Sequence, residues 1–319
     1  MDIAQRWMSL PHEWQPLFER WAEDPKNRLA LHSWPQYGGQ KVVGLTWGRS
    51  DAPVRLMAAV PHAHEPAGTA VMVNLASQLI AGRHLDGEPT ELPIEEIRVK
   101  CLITLLPDTN SQGRAKRSER CWDGAHDDDT FLKIVFGIAA DGSRFGRYPE
   151  WSLKEHRPRQ IGIEYEQLTD DLFVEPNTSR RSTHFKAITE LHARYGHTHF
   201  LDMHQHEQPP AAILPADFDE LSPEDQAKIM AWAKAIIQAL SAVGADPRPE
   251  PVISYRGQER QRFFQDFWRG TCPGMLRLVS EVRNNLDRKT GVPTTMEQQF
   301  TMANAVLLGT IKHLMETAT

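Results

Sequence analysis

Two short segments carry the residue types that hold a metal ion: Pro61-His62-Ala63-His64-Glu65-Pro66 and Leu201-Asp202-Met203-His204-Gln205-His206-Glu207. Each follows an apolar run that reads as a strand. Zinc takes imidazole nitrogen and carboxylate oxygen in a tetrahedral shell, and a catalytic zinc keeps three protein ligands with the fourth position left for water. His62 and Glu65, on the turn leaving one strand, can point at a single ion. His204, from a distant strand end, can close the set, with His64, Asp202 and His206 as neighbours that surround the ligands. Two neutral imidazoles and one carboxylate leave the ion with net positive charge, so it acidifies a bound water and polarises a carbonyl. The expected cofactor is one zinc per chain, although the donor set also accepts cobalt or nickel.

The elements that must position these segments can be read from periodicity. Val54 to Val60 is a short continuous apolar run that delivers the first segment, and Gly68 to Ile80 is the helix that follows it. Ile97 to Leu106 reads as another buried strand. Ser182 to Tyr195, capped by Ser182 and Thr183, hands over to the strand His199 to Met203, which delivers the second segment. Ser222-Pro223-Glu224-Asp225 opens a helix through Leu240, Met275 to Val282 is a further strand, and Phe300 to Met315 a terminal helix. Upstream, Trp7, Leu10, Trp14, Leu17, Phe18 and Trp21 predict two short helices broken at Pro11, and Arg28 to Trp34 with Lys41 to Trp47 predict a hairpin around Gly38-Gly39. Ala115 to Asn177 is the least regular stretch, expected as loops and short helices over the active face. Alternation of strands and helices predicts an α/β fold: a mixed, mainly parallel twisted sheet with helices on both faces and sites at the carboxyl ends of the strands. The expected division is an N-terminal helical extension over residues 1–26 and a catalytic domain over 27–319.

Composition narrows the partners. The chain has 319 residues and a formal net charge of -6, with no basic block, so nucleic acid and anionic membrane are not expected partners. No apolar run is long enough to span a bilayer and Met1 to Trp7 has no signal-peptide pattern, which together predict a cytoplasmic protein. Cys101, Cys121 and Cys272 fall outside any CxxC spacing and read as free thiols. Asp127-Asp128-Asp129 lacks the glycine and terminal glutamate of a calcium loop and reads as a solvated turn.

In order, His62-Ala63-His64-Glu65, then His204 after a strand, then Thr295-Met296-Glu297, the chain resembles the zinc carboxypeptidase (M14) superfamily from about Lys41 to the end. The resemblance implies that Glu297 is the general base, accepting a proton from the water and passing it to the departing amine. It also implies an arginine beside the developing oxyanion. The matching turn, Asn110-Ser111-Gln112-Gly113, departs from the family's Pro and Asp and precedes Arg114, Arg117 and Arg120, of which Arg120 is nearest the family spacing. The family's Asn-Arg clamp for a substrate carboxylate has its nearest match in Asn177-Thr178-Ser179-Arg180-Arg181, and its capping tyrosine in Tyr255. The implied substrate is a peptide or an N-acyl amino acid, the latter similar to those of the succinylglutamate desuccinylase and aspartoacylase relatives. A non-catalytic binding protein on the same fold is supported only by the altered turn. An amidohydrolase barrel, suggested by His62-Ala63-His64, needs eight strand–helix units that the hairpin beginning does not start.

Overall fold

Successive side chains of a strand point to opposite faces, and here they sort into two separate cores. Leu56 and Ala58 join Val43, Leu45, Ile103, Leu105, Leu201 and Met203 in one core, whereas Met57 and Ala59 join Val42, Leu106 and Phe200 in the other. A sheet covered on both faces favours apolar residues on both, which is why stretches such as Leu56 to Val60 and Cys101 to Leu106 read as near-continuous apolar runs. The computed structural model describes residues 2–318, without the side chains of Glu259 and Arg260.

The sheet has eight strands. In chain order they are β1 (Leu29–Pro35), β2 (Lys41–Gly48), β3 (Val54–Ala59), β4 (Cys101–Leu106), β5 (His199–His206), β6 (Ala211–Leu214), β7 (Val252–Ile253) and β8 (Leu276–Arg283). Across the sheet they lie β1-β2-β4-β3-β5-β8-β6-β7. The central four, β4, β3, β5 and β8, are mutually parallel, while β1, β2 and β6 pair antiparallel. The predicted fold class is the observed one.

Helices α1 (Pro11–Glu23), α2 (Pro66–Ala81), α4 (Pro223–Ala242) and α6 (Met296–Thr317) cover one face, and α3 (Thr183–Tyr195) and α5 (Glu259–Thr271) the other. Trp7, Trp14 and Phe18 of the N-terminal segment sit in the same core as the sheet residues. α2 is buried from Pro66 through Leu79, so it is a core helix buried all round rather than one with a single buried stripe. All three cysteines are free. Among the described residues no helix is long and apolar enough to cross a membrane.

Two expectations change. Ile97 belongs to a short helix, Ile94–Lys100, and the strand begins only at Cys101. The helix has Glu95 and Glu96 in its first turn and Arg98 and Lys100 in its last, the charge order that the helix dipole favours. The region from Ala115 to Asn177 adds to its short helices two small antiparallel sheets built from strands of two or three residues.

A buried polar row crosses the outer half of the sheet. His32 Nε2 lies 3.0 Å from Thr46 Oγ1, Thr46 Oγ1 2.9 Å from Thr104 Oγ1, and Thr104 Oγ1 2.8 Å from His197 Nε2. Burial, helped by the charge of Arg194, lowers the His32 pKa to about 4, and burial with the neighbouring His192 lowers that of His197 to about 3. Both imidazoles are therefore neutral in the fold, while the unfolded chain protonates them near pH 6.5. Their contribution to stability is full above that pH and is lost as pH falls toward the folded values, by up to ~1.4 kcal/mol per pH unit for each histidine. Urea unfolding between pH 7 and 4.5 should show this slope, and His32→Gln should reduce it by about one proton.

Candidate metal centre and its cavity

β3 and β5 run parallel and adjacent, with Ala59 level with Asp202, so the segments leaving their carboxyl ends share one rim of the sheet. Open parallel sheets place their sites at that rim. Pro66 at the first turn of α2 ends the turn after Glu65, as proline at a helix start commonly does. β5 continues past β3, which carries His204 over the same rim. On its other side β8 places Glu281 level with His204.

Three donor atoms meet there. His62 Nδ1 lies 3.0 Å from Glu65 Oε2 and 3.1 Å from His204 Nδ1, and His204 Nδ1 lies 3.2 Å from Glu65 Oε2. Ligands bound about 2.0–2.1 Å from a tetrahedral zinc stand roughly 3.3 Å apart, so the spacing fits one ion. The opposite ring nitrogens are occupied: His62 Nε2 donates to Glu175 Oε1 at 2.6 Å and His204 Nε2 to Asp202 Oδ2 at 3.1 Å. Those bonds fix the tautomer, leave each Nδ1 lone pair for the ion and raise its basicity. Asp202 can do this because residues two apart on a strand share a face.

Electrostatics agree with the geometry. His62, Glu65 and His204 are 4 %, 3 % and 6 % exposed. Burial alone would lower the pKa of both imidazoles. Glu164, Glu65 and Glu175 around His62, and Asp202 and Glu65 around His204, outweigh it and hold both well above the ordinary histidine value. Burial likewise raises Glu65 and Glu175, but His62 and His204 hold Glu65 well below the usual carboxylate range, and His62 with Arg147 holds Glu175 at about 2. Carboxylates that draw protons this strongly onto two imidazoles would draw a divalent cation into the same place.

A second grouping, His62 Nε2 with Glu164 and Glu175, also brings donor atoms together. Its 2.6 Å contact is the length of a charge-assisted hydrogen bond and is too short for two ligands of one zinc. Its cation is already present: Arg147 lies 3.5 Å from Glu164 and 3.9 Å from Glu175. His64 Nδ1, 3.0 Å from Glu164, completes the cluster.

The turn Asn110-Ser111-Gln112-Gly113 anchors this cluster rather than meeting a substrate. Asn110 accepts from Gly113 N and donates to the carbonyls of Ile163 and Glu164 at 3.1 and 2.9 Å. A Cβ on Gly113 would stand 2.1 Å from the Ile163 carbonyl oxygen, so only glycine lets the two segments approach.

A cavity of about 500 Å³ opens over the centre. Asn177, Tyr255, His64, Asp202 and His206 line it together with the three donor residues. Several residues taken from the family pattern lie elsewhere. Arg120 pairs with Glu13 and donates to Ala4 O; Arg114 is buried and bound to Ser9 and the Glu119 carbonyl; Arg117 pairs with Glu119. Arg180 donates to Asp266 O and Arg181 faces Glu150. Glu297 is exposed and absent from the cavity wall, because Thr295 caps the Gln298 amide and makes Thr295-Met296-Glu297 the start of α6. Glu281 lines the cavity in its place, and its Oε2 is buried without a hydrogen-bond partner among the described residues. Its signal was the carboxyl end of the strand predicted from Met275 to Val282. Arg147, Glu164 and Glu175 come from the irregular stretch and had no such signal.

No protein-family model matches the chain, and no curated protein matches it in sequence. Solved structures do match. Carboxypeptidase A from Helicoverpa armigera superposes with a TM-score of 0.61 at 11 % identity, over 98 % of this chain and 75 % of that one. A metallo-carboxypeptidase from Burkholderia cenocepacia gives 0.58 at 13 % identity, over 94 % and 68 %. One from Pseudomonas aeruginosa, in complex with (2-guanidinoethylmercapto)succinic acid, gives 0.55 at 15 %, over 94 % and 68 %. The chain thus spans about two thirds of the length of the two bacterial proteins. At these identities the likeness is one of fold: the chain has the metallocarboxypeptidase fold.

Competition with a chromogenic chelator checks the donor assignment. His62→Ala should abolish tight zinc binding, and Glu175→Gln should weaken it by about 10- to 100-fold through lost orientation of the ring. Glu164→Gln, which belongs only to the second grouping, should still bind about one ion per chain.

Proposed function

We propose that this chain is a metal-dependent hydrolase that cuts an amide bond beside a carboxylate-bearing residue, at the C-terminus of a peptide or in an N-acyl amino acid. The observation that carries the reading is the meeting of His62, Glu65 and His204 within 3.2 Å, with Glu281 level with His204 on the neighbouring strand. A zinc ion held by those three residues would supply a Lewis acid and an acidified water.

The remaining work falls to side chains. Glu281 takes the role that the family pattern had assigned to Glu297: it accepts the proton of the attacking water and returns it to the departing amine, a contribution of about 10²–10⁴ in rate. Its unpartnered oxygen supports this role. Arg147 is the guanidinium of the cavity wall near the ligands. Both its carboxylate contacts, at 3.5 and 3.9 Å, exceed a direct hydrogen bond, and its side chain is 37 % exposed, so it can turn to a substrate carboxylate or to the developing oxyanion. Asn177 lines the same cavity with its Oδ1 buried and unpartnered among the described residues. Tyr255, at φ 52° and stacked on Phe264 with ring centroids 5.1 Å apart, is the aromatic able to cover a bound substrate.

The test is a panel of N-blocked dipeptides and N-acyl amino acids with zinc-loaded protein. Glu281→Gln should keep its zinc and lose about 10²–10⁴ in kcat, while Glu297→Gln should turn over like the unaltered chain. No hydrolysis of any member of the panel by zinc-loaded protein would sink the reading.

A further inference from the structure

The carboxylates around the metal centre outnumber the cations that answer them. Glu65, Glu164, Asp202 and Glu281 line the cavity, and Glu175 backs His62. Even with a divalent ion between the donors, that ion and Arg147 bring three positive charges against these five negative ones. Two other carboxylates of the wall are balanced: Asp217 by Arg277 at 2.9 Å, and Glu207 by Arg288 at 3.0 Å. A proton on His64 would answer one of the two charges left over, and one would still remain.

The surplus is sharpest at Glu164. It is 1 % exposed, and neither of its carboxylate oxygens has a hydrogen-bond partner among the described residues. His64 Nδ1 stands 3.0 Å from Oε2 but out of line for a hydrogen bond, and Arg147 stands 3.5 Å from Oε1. Once Arg147 turns to a substrate carboxylate, Glu164 loses that guanidinium as well. The fold nevertheless holds the residue in place: its amide donates to Val135 O at 3.0 Å and its carbonyl accepts from Asn110 at 2.9 Å. A buried carboxylate left open to a cavity is costly unless a further group pairs with it. A second metal ion does not meet that need, because the one grouping that includes Glu164 shares His62 with the first and is too tight for ligands of one ion. An organic cation does. Phe131, Leu132, Val135 and Phe136 line the same cavity, with the Phe131 ring 6.2 Å from that of His64, and offer apolar and aromatic surface to the stem that carries such a charge.

We propose that Glu164 receives an ammonium group of the substrate, so that the molecule cut carries a positive charge as well as its carboxylate. The substrate class rests on the hydrolase reading above, while recognition of the ammonium can be read from binding alone. Calorimetry would be done with zinc-loaded protein and four six-carbon acids that have no bond to hydrolyse: hexanoate, norleucine, 6-aminohexanoate and lysine. They share one chain and one carboxylate, and carry no amine, an amine beside the carboxylate, one at the far end, or both. Turnover of alanyl-phenylalanine, free and N-acetylated, and of N-acetyl-lysyl-phenylalanine would be followed alongside.

Norleucine or 6-aminohexanoate should bind at least about tenfold more tightly than hexanoate, the scale of one hydrogen bond between charged groups. Either supports the proposal: the first marks an α-amine as the group received, the second a side-chain amine. Glu164→Gln, which keeps its ion, should shrink the advantage to about twofold or less. Arg147→Met removes the competing guanidinium and should enlarge it, which covers the case in which Glu164→Gln does not fold. Equal binding of all four acids would overturn the proposal, as would an advantage that Arg147→Met lowers. An advantage that survives in folded Glu164→Gln would also overturn it, since the amine would then be held by the metal or by Asp217. So would a second zinc per chain that Glu164→Gln removes, the mark of a dinuclear centre. Amine-selective binding without turnover would support the site and remove the hydrolase. Turnover of the dipeptides without amine preference would do the reverse.

Discussion

Everything in the centre depends on holding three lone pairs within 3.2 Å of one another in a buried place. Two imidazole nitrogens and a carboxylate oxygen so close repel one another unless a proton or a cation sits among them. Packing alone does not supply the restraint. Glu175 and Asp202 supply it by binding the far side of each ring, so the two imidazoles cannot rotate their lone pairs away. The cost is a cluster of buried carboxylates, which Arg147 and His64 offset on one side.

The parallel register of β3, β5 and β8 then converts a local arrangement into a site. Residues far apart in sequence become neighbours because strand ends in a parallel sheet finish at one rim. Ala59 level with Asp202, and His204 level with Glu281, are enough to bring the first segment, the second segment and the carboxylate of β8 onto one face. The same strand that places Glu281 level with His204 carries Arg277 to the other end of the cavity.

The central sheet was legible because strands buried on both faces are continuous apolar runs, and Val54 to Val60 is such a run. The donor triplet was legible for a related reason: His62, Glu65 and His204 lie directly at the ends of those runs, where chemistry and topology give the same answer. Glu281 was overlooked although it ends a predicted strand, because a short pattern, Thr295-Met296-Glu297, matched the family better. That pattern is a helix cap here, and three residues cannot distinguish a cap from a strand end. Arg147, Glu164 and Glu175 were out of reach for a different reason. They are placed by strands of two or three residues, too short to show a period, whose pairings are non-local. The strands β6 and β7 at one end of the sheet, of four and two residues, were missed for the same reason.

The excursion between the turn at Gly113 and the segment at Ile163 is fastened at both ends, by the Asn110 bonds and by the contact that only glycine permits. Residues 116–143 supply neither a metal donor nor a carboxylate that backs one, yet Phe131 and Val135 line the cavity. With its ends fixed, such a stretch can lengthen cheaply, since each doubling of a loop costs only about 0.6 kcal/mol in closure entropy. Descendants of this chain could therefore exchange or extend that stretch and remodel the cavity wall while inheriting the metal centre unaltered.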